Sequence, residues 1–389
     1  MRIKDILERT IPISRYADSC IPSGGLTTSL VAVVTDVLRN GKPVVGYGYS
    51  SVGRFAQGGL IRDRFLPRLM AAREEMLLDD AGTNLDPFRA WEVMMADEKP
   101  GGHGERCVAV GTLDMALWDA AAKIGRQPLW QLLSERLDRP TVKPSVRVYA
   151  GGGYRYPGND ISRLADEMRA FVDLGFTHAK IKIGADELVE DVRRVEAAAS
   201  SLRDSQRLAV DAIYRYDRVT GTAAASALAP FKLWWFEDIC DPLDFETQAH
   251  VAALYEPSIA AGEALFSLAE AKLLDAHGGL RRERDILEFD PVHCYGLPGY
   301  LKIVEHLSHK GWPRHAFWPH GGQLFSLHVV AALGLGGAEV NPFAFHPFCG
   351  LTDATQVTSE GVELPKAPGI GFELNCAVRR CFETAFTDL

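Results

Sequence analysis

Residues 179–186 read AKIKIGAD, and in this stretch Lys180 and Lys182 alternate with Ile181 and Ile183. A period of two is typical of a β-strand whose successive side chains point to opposite faces, so the two lysines share one face. Two ammonium groups side by side repel each other and are costly inside a domain unless something uses them. Taken alone, the segment is also compatible with an edge strand whose lysines face water.

The rest of the chain repeats such strand-like segments from about residue 145 onward. Short apolar runs alternate there with segments of helical periodicity. Eight runs can be counted: VRVYAGG, HAKIKIG, RLAVDAIY, LWWFEDI, SIAAGEA, ILEFDPV, HAFWPH and EVNPFAF. This alternation predicts parallel strands with crossover helices, and eight strands close a TIM-type β/α barrel. A doubly wound open sheet is the alternative, but Gly151–Gly153 lacks the spacing of its phosphate loop.

The first part of the chain has a different organisation. Residues 26–49 contain two strand-like runs joined by Asn40-Gly41, a strong hairpin signal. Mostly helical sequence follows, and the tail beyond about residue 350 reads as turns and short strands that return to this first region. We therefore predict three parts: an α+β capping domain at 1–140, a β/α barrel at 141–350 and a C-terminal segment at 351–389 that completes the cap.

Composition excludes several classes of protein. The formal net charge of −9 argues against a surface for nucleic acid or anionic membrane. The seven cysteines include no C-x-x-C pair, so neither a zinc knuckle nor a disulfide framework is indicated. The N-terminus lacks the apolar core of a signal peptide and no apolar run approaches transmembrane length, which predicts a cytoplasmic protein.

A polar residue suited to acid–base or metal chemistry ends six of the eight runs. These residues are Lys182, Asp211, Glu237, Glu263, Asp290 and His320. Consecutive members lie 26 to 30 positions apart. One unit of a typical barrel takes roughly 31 residues, so the six side chains are expected at one height, the C-terminal rim where barrel active sites lie.

Three of these residues form a candidate metal site. Asp211, Glu237 and Glu263 come from neighbouring strands, and without a cation their carboxylates would repel one another. An all-oxygen set suits a hard divalent ion, and we expect one Mg²⁺ per subunit. A single acid of this kind is better interpreted as a helix cap or a solvated loop residue, but the regular spacing of all three favours the metal site.

The remaining residues provide candidate acid–base groups. Lys180 and Lys182 precede the carboxylates, and their repulsion together with the metal's charge would lower the pKa of one lysine toward neutral and make it a base. His320 lies across the barrel, and Asp290 on the adjacent run is placed to orient its imidazole. This arrangement suits removal of a proton next to a carboxylate, with the metal stabilising the resulting enediolate.

This set of residues resembles the mandelate racemase branch of the enolase superfamily. The segment TLDMALWDAAAKIGRQPLWQLL is similar to the last helix of that family's cap, PKAPGIGFEL is similar to its C-terminal segment, and the resemblance covers nearly the whole chain. It implies an enolase-like, modified barrel in which Glu339 and Lys180 contact the substrate carboxylate. One departure is Ile213, which occupies a position where many relatives carry an asparagine that contacts a substrate hydroxyl.

Within the family, length and loop sequence resemble the D-tartrate dehydratases most. That resemblance implies that Lys182 takes the α-proton, that His320, held by Asp290, protonates the departing β-hydroxyl, and that oxaloacetate and water are formed. Bases on opposite faces suit racemisation equally well. Another acid-sugar dehydratase, a racemase or a cycloisomerase therefore remains the alternative, whereas intact metal and acid–base residues disfavour a barrel that only binds acids.

Family precedent places substrate specificity in two cap loops, which here are residues 19–26 and 49–59. A diacid needs a cation for its far carboxylate, and Arg54 is the first candidate and Lys99 the second, although either fits a solvated surface charge as well. Ser23 is a further candidate for substrate binding. The expected partner is a small hydroxy acid, with neither nucleic acid nor membrane, and a homo-oligomer is expected.

Overall fold

The N-terminal region of the computed structural model is a three-stranded antiparallel sheet. The structure describes residues 1–50, 52–139, 144–185, 187–348, 350–387 and 389, so Ser51 of the second cap loop and the predicted boundary at 140 lie outside the described residues. Its strands are β1 (Ile3–Pro12), β2 (Thr27–Arg39) and β3 (Lys42–Tyr49), with β2 in the middle. Asn40 and Gly41 join β2 to β3 at positive φ, as the hairpin signal predicted.

A long buried helix covers this sheet. The helices of the region are α1 (Gly58–Leu60), which a π-helical turn (Ile61–Phe65) continues into α2 (Leu66–Ala71), then α3 (Pro87–Met95), α4 (Glu105–Ile124) and α5 (Leu129–Arg136). Helix α4 lies so close to β3 that a Cβ on Gly46 would stand 2.1 Å from the carbonyl oxygen of Ala116. Glycine at this position therefore permits the close approach of helix and sheet.

Alternating strands and helices follow, as the sequence predicted. They are β4 (Ser145–Val146), β5 (Val148–Gly151), α6 (Asp160–Asp173), β6 (Ala179–Lys182), α7 (Leu188–Leu202), β7 (Leu208–Asp211), α8 (Arg218–Leu228), β8 (Phe236–Glu237), α9 (Phe245–Leu254), β9 (Ile259–Ala261), α10 (Leu268–His277), β10 (Ile286–Leu287), α11 (Leu297–His309), α12 (Leu324–Leu333) and β11 (Ala338–Val340). Strands β10, β9, β8, β7, β6, β5 and β11 are neighbours in that order, and all their pairings are parallel.

The seventh predicted run closes the barrel without forming a full strand. Phe317 makes an isolated parallel bridge to Leu287 at the end of β10. On its other side the backbone N–H of Gly336 donates to the carbonyl of Phe317 at 3.0 Å, next to β11. The result is a β/α barrel of the predicted class, in which the seventh of the eight strand positions forms only a single bridge.

Side-chain caps fix the start of three successive barrel helices. Asp217, Asp244 and Ser267 precede α8, α9 and α10, and each accepts a hydrogen bond from a backbone N–H in the first turn. Because these caps set where each helix begins, they also set the length of the loop that follows the strand end. Those loops form the rim on which the polar residues lie.

Apolar side chains fill the lower part of the barrel. The buried cluster consists of Tyr149, Ala209, Trp235, Ala260, Ile286 and Trp318. Asp211 and Glu237 stand two positions after Ala209 and Trp235 and so face the same interior. The rim residues therefore rest on a packed hydrophobic layer.

The C-terminal tail returns to the first region, as expected. Strand β12 (Val362–Glu363) pairs antiparallel with β4, and α13 (Cys376–Ala385) follows. The ring of Phe382 stacks on Tyr47 of β3 with centroids 4.4 Å apart, and the N–H of Ile370 donates to Asp119 Oδ1 of α4 at 2.7 Å. Within the described ranges, no helix combines the length and apolar character needed to cross a membrane.

Candidate active site

The register of the parallel sheet brings the predicted carboxylates together. Lys182 pairs with Asp211 across β6 and β7, and Asp211 pairs with Glu237 across β7 and β8. Glu263 follows β9 by two residues. Ligand atoms of Asp211, Glu237, Asp238 and Glu263 all lie within 4.8 Å of one another. The three acids proposed from sequence thus form one cluster, and a fourth acid joins them.

The fourth acid is Asp238, which the periodicity of the strand did not predict. In a continuing strand it would face away from Glu237. Its φ of 49° instead turns the chain at the strand end, and its side chain is buried beside the cluster. Burial, followed by the charge of Glu263, raises the pKa of Asp238 well above its usual range. The adjacent acids in FEDI were the only signal for it in the sequence.

Both lysines of the opening stretch face carboxylates inside the barrel. The Nζ of Lys180 lies 2.5 Å from Glu237 Oε1 and 3.7 Å from Glu339 Oε1, and the residue is completely buried. The Nζ of Lys182 donates to Asp211 Oδ2 and lies 5.4 Å from the ring centroid of Tyr154. The alternative of a water-facing edge strand is therefore wrong, because β6 lies between β5 and β7.

The charge of Asp211 dominates the pKa of Lys182 in this structure. Burial alone would lower the pKa of Lys182, but the charge of Asp211 outweighs it, and the pKa is raised well above the usual value. Repulsion from Lys180 also acts to lower this pKa and is weaker than the attraction of Asp211. The lowering predicted from the sequence combines the repulsion of Lys180 with the charge of a bound metal, and it stays a prediction for the metal-loaded site, in which Asp211 is a proposed ligand.

His320 and Asp290 form the predicted pair. The Nδ1 of His320 lies 3.2 Å from Asp290 Oδ2, and its Nε2 lies 3.1 Å from Glu263 Oε2. Asp290 is fixed in turn, since its Oδ1 accepts from the backbone N–H of Val292 at 2.7 Å. The imidazole is thereby oriented with Nε2 toward the carboxylate cluster.

Glu339 lies where the family resemblance placed it, beside Lys180. Its Oε2 accepts from the backbone N–H of Gly321 at 3.2 Å. A Cβ on Gly151 would stand 2.0 Å from Glu339 Oε1, so glycine makes room for this carboxylate. Burial would raise the pKa of Glu339, but Lys180 outweighs it and the pKa is lowered.

Glu288 is a second buried acid that sequence reasoning missed. Its Oε1 lies 3.8 Å from Lys180 Nζ and accepts from the hydroxyl of Tyr149 at 3.3 Å. Burial, followed by the charge of Glu237, raises its pKa well above the usual range. It precedes Asp290 by two positions in ILEFD and shares its face, but only the last polar residue of each run had been considered.

A cavity of about 260 Å³ opens above these residues. Lys182, Asp211, Glu263 and His320 line its base. From the second cap loop, Val52–Arg54 also line it. The proposed base, the proposed acid, two of the proposed metal ligands and one cap loop therefore border a single space.

Three arginines surround this cavity. Arg54 was predicted, whereas Arg15 and Arg215 were not, because each stands alone in sequence without a motif. The guanidinium of Arg54 lies 4.8 Å over the ring of Phe266. Among the described residues none of the three arginines forms an ion pair with an acid. Their charges are therefore available to an anion in the cavity.

The other two cap candidates do not line the cavity. Ser23 Oγ accepts from the backbone N–H of Arg15 at 3.0 Å and lies 3.0 Å from Ser14 Oγ, so it shapes the chain that presents Arg15. Lys99 is exposed, and its carbonyl accepts from Arg106 at 3.1 Å. Of these two, only Ser23 is positioned to affect the cavity, and it does so through the backbone.

Ile213 borders the cavity in a strained conformation. Its φ is 48°, that of Tyr214 is 58°, and both residues line the cavity. Positive φ is unfavourable for a β-branched residue. The backbone N–H of Ile213 donates to Asp211 Oδ1 at 2.7 Å, which ties the turn to the carboxylate. The side chain at this departure from the expected family pattern is thus apolar and borders the cavity.

His293 is the last residue that the sequence did not indicate. It is buried, lines the cavity, and its ring centroid lies 5.3 Å from that of His320. Its Nδ1 lies 2.7 Å from the carbonyl oxygen of Glu263. Burial lowers its pKa to about 4, so the imidazole is neutral near pH 7. Asp290, His293 and His320 each offer an atom within 4.8 Å of the others.

Known proteins with similar sequences include a dehydratase and a cycloisomerase. An arabinonate dehydratase from Saccharolobus solfataricus is 25% identical over 362 residues, covering 91% of each chain. A 3,6-anhydro-alpha-L-galactonate cycloisomerase from Streptomyces coelicolor is 31% identical over 277 residues, covering 71% of each chain. Both similarities extend across most of this chain.

A solved structure and a family description agree with these similarities. An L-talarate dehydratase from Polaromonas sp. JS666, complexed with Mg and L-glucarate, superposes with a TM-score of 0.70 at 26% identity, covering 94% of each chain. Residues 163–378 match the family described as Enolase C-terminal domain-like. This match spans more than half of the chain and contains the carboxylate cluster, Lys182 and His320. The protein therefore belongs to the enolase superfamily.

Proposed function

We propose that the protein is a magnesium-dependent dehydratase of a hydroxy diacid, with D-tartrate, giving oxaloacetate and water, as the first substrate to test. The observation that carries this proposal is one cavity with Lys182 and His320 at its base and three arginines without acidic partners around it. The relatives named for sugar-acid dehydration support the reaction type. The substrate itself rests on the resemblance to tartrate dehydratases and on the charge of the cavity.

The carboxylate cluster fits a bound magnesium ion. Its donor atoms are all oxygens, which is the set that Mg²⁺ prefers. Burial raises the pKa of Glu237 to about 7 and that of Asp238 well above its usual range, so the carboxylates are costly to ionise together without a cation. We propose that Asp211, Glu237 and Glu263 hold one Mg²⁺ per subunit. When bound, the ion would stabilise the negative charge that develops on the substrate carboxylate.

Lys182 is the proposed base. Its Nζ borders the cavity, whereas Lys180 is completely buried among Glu237, Glu288 and Glu339. The α-proton of a substrate in the cavity is therefore within reach of Lys182 alone of the two. Lys180 and Glu339 remain the proposed contacts of the substrate carboxylate.

His320 is the proposed acid for the departing β-hydroxyl. Asp290 at Nδ1 fixes the ring so that Nε2 faces the cavity side of the cluster. Loss of the hydroxyl as water requires a proton on its oxygen, and a positioned imidazole supplies one. With Lys182 and His320 as separate groups, one removes the α-proton and the other protonates the leaving group.

The arginines support a diacid rather than a monoacid. A second carboxylate at the far end of the substrate would meet Arg54 from the cap, and Arg15 and Arg215 border the same cavity. Guanidinium groups bind carboxylates strongly, often through two parallel hydrogen bonds. A substrate with a neutral far end would offer these guanidinium groups no carboxylate to bind.

A racemase or cycloisomerase is the second candidate. It is supported by the 31% identical cycloisomerase and by bases that face each other across the cavity. Such an enzyme would leave no keto acid and would change only the configuration or ring state of the substrate. The product therefore separates the two functions.

The test is a screen of hydroxy diacids and acid sugars, beginning with D-tartrate, with Mg²⁺ present and after exhaustive chelation. We expect a 2-keto acid from the metal-loaded protein and none after chelation or in the Glu237→Gln variant. Full activity of chelated protein would show that the metal proposal is wrong. Epimerised or lactone product without keto acid would favour the second candidate. Homo-oligomer formation and cytoplasmic location stay predictions.

A further inference from the structure

His293 has one ring nitrogen without a partner in the barrel interior. Its Nε2 is buried and makes no hydrogen bond to any described residue. The Oδ2 of Asp290 lies 3.6 Å from this nitrogen, beyond hydrogen-bond range. A buried polar atom left without a partner carries a free-energy cost, because it has lost its hydrogen bond to water. Such a cost suggests that another molecule supplies the partner in the working protein.

The other nitrogen fixes which tautomer is present. The Nδ1 of His293 lies 2.7 Å from the carbonyl oxygen of Glu263, and a carbonyl oxygen only accepts. Nδ1 therefore carries the hydrogen. In the neutral ring Nε2 then has a free lone pair and acts as an acceptor. The missing partner is thus a hydrogen-bond donor.

His293 lies beside His320, the proposed acid. His293 lines the same cavity as His320, and the two ring centroids are 5.3 Å apart. The ring centroid of Phe266 lies 5.5 Å from that of His293, and the guanidinium of Arg54 lies 4.8 Å over the Phe266 ring. A substrate atom that reaches His320 from the cavity therefore also lies next to His293.

We propose that His293 Nε2 accepts a hydrogen bond from the hydroxyl group that leaves, so that the oxygen of this hydroxyl presents a lone pair to His320. The inference rests on the proposed dehydratase function and adds a specificity-determining residue to it. A hydroxyl that donates to an acceptor becomes a better acceptor itself. His293 thereby favours proton transfer from His320, while the departing oxygen keeps its own hydrogen and leaves as water.

A metal ion shared by Asp290, His293 and His320 fits the same cluster less well. The Nδ1 of His320 already faces Asp290 Oδ2 at 3.2 Å, and a metal there would have to replace that interaction. The proposed acid would then lose the group that orients it. A donor hydroxyl satisfies Nε2 of His293 without disturbing this pair.

The test compares two variants on two ligands in the magnesium-loaded full chain. His293→Phe keeps a ring but removes the acceptor, and His293→Gln restores an acceptor near the same place. The ligands are the hydroxy diacid turned over by the wild type and its analogue with hydrogen in place of the β-hydroxyl, used as a competitive inhibitor. His309→Gln, an exposed histidine on α11, is the matched control.

For His293→Phe we expect kcat/KM to fall by about tenfold to a hundredfold, the loss typical of one hydrogen bond. The inhibition constant of the analogue should stay within about twofold, because the analogue lacks the group that His293 recognises. His293→Gln should recover most of the activity. The inference would be overturned if His293→Phe left kcat/KM unchanged or weakened binding of the analogue as much as it lowered kcat/KM. It would also be overturned if His293→Gln were as inactive as His293→Phe. Absence of turnover by the wild type would instead refute the proposed function on which it rests.

Discussion

Two lysines that are two positions apart on β6 have different surroundings, although both face the barrel interior. Lys180 is enclosed by Glu237, Glu288 and Glu339, whereas Lys182 contacts Asp211 and borders the cavity. The two positions are separated by about 7 Å along the strand. At the residue scale, access to the cavity rather than charge distinguishes Lys182, the proposed proton-transfer group, from Lys180.

The proposed roles of Lys182 and His320 predict separable defects. Lys182→Ala should abolish both dehydration and exchange of the α-proton, because no other lysine borders the cavity among the described residues. His320→Asn should lower dehydration by about 10²–10⁴, the usual contribution of one acid–base group, while exchange persists. The measurement is NMR of substrate recovered from deuterated water. Deuterium with the Lys182 variant but not with the His320 variant would reverse the assignment.

The arginines predict a test of the far carboxylate. Arg54→Ala should lower kcat/KM for diacids by about tenfold to a hundredfold, as expected for a lost charge-assisted hydrogen bond, and should change monoacid turnover little. Lys99→Ala is the matched control, because Lys99 is exposed and does not line the cavity. Steady-state kinetics on a diacid and the corresponding monoacid measure both effects. Equal losses on the two substrates would remove Arg54 from this role.

At the scale of the element, strands were predictable and the ends of strands only partly so. The alternation of lysine and isoleucine predicted strand β6, and the spacing of about one barrel unit predicted Asp211 and Glu237 at strand ends. Both signals follow from regular backbone geometry. Asp238 was missed because a positive φ ends the strand, and Phe317 forms only a bridge where a strand was expected. A single residue with an irregular φ does not alter the spacing of apolar residues, so the sequence pattern gives no sign of it.

The packing of α4 on the cap sheet predicts a stability effect. Gly46→Ala would place a Cβ 2.1 Å from the carbonyl oxygen of Ala116, and neither backbone can move far. Overpacking of this kind costs about 1–3 kcal/mol in the free energy of unfolding. Gly59→Ala is the control, since no atom lies within 4 Å of its added Cβ. Urea denaturation measures both variants, and equal midpoints would contradict the packing argument.

At the scale of the whole molecule, the cavity is assembled from distant parts of the chain. Arg15 and Arg54 come from the N-terminal region, Lys182 and His320 from opposite sides of the barrel. The sequence allowed the barrel rim to be predicted, because every barrel unit repeats the same geometry. It did not allow Arg15, Arg215 or His293 to be predicted, since their meeting depends on how cap and barrel pack.

The stability of the molecule is expected to depend on pH through Glu167, a half-buried acid outside the carboxylate cluster. Its Oε1 accepts from the N–H of Gly153 at 3.2 Å and its Oε2 from the hydroxyl of Tyr156 at 3.0 Å. Burial raises the pKa of Glu167 to about 7. The unfolded chain, with a pKa of about 4.3, ionises first, so this group lowers the free energy of unfolding as pH rises from about 4.3 to about 7.

Glu167→Gln should remove that dependence. Relative to the wild type, the variant should gain on the order of 2–3 kcal/mol between pH 4.5 and pH 7.5, because each pKa unit corresponds to about 1.4 kcal/mol. The free energy of unfolding of both proteins is measured by denaturant titration at the two pH values. Titrating groups that the two proteins share contribute equally and drop out of the difference. A difference that does not change with pH would contradict a raised pKa for Glu167.

The return of the tail has a consequence for biosynthesis. Strand β12 pairs with β4 at the entrance to the barrel, and Phe382 covers Tyr47 on the cap sheet. Residues 362–385 leave the ribosome after every element that they complete. Neither the cap nor the barrel entrance can reach its final packing while this segment is still inside the exit tunnel. A nascent chain stalled before residue 362 is therefore expected to expose both surfaces and to be the form that chaperones and proteases recognise.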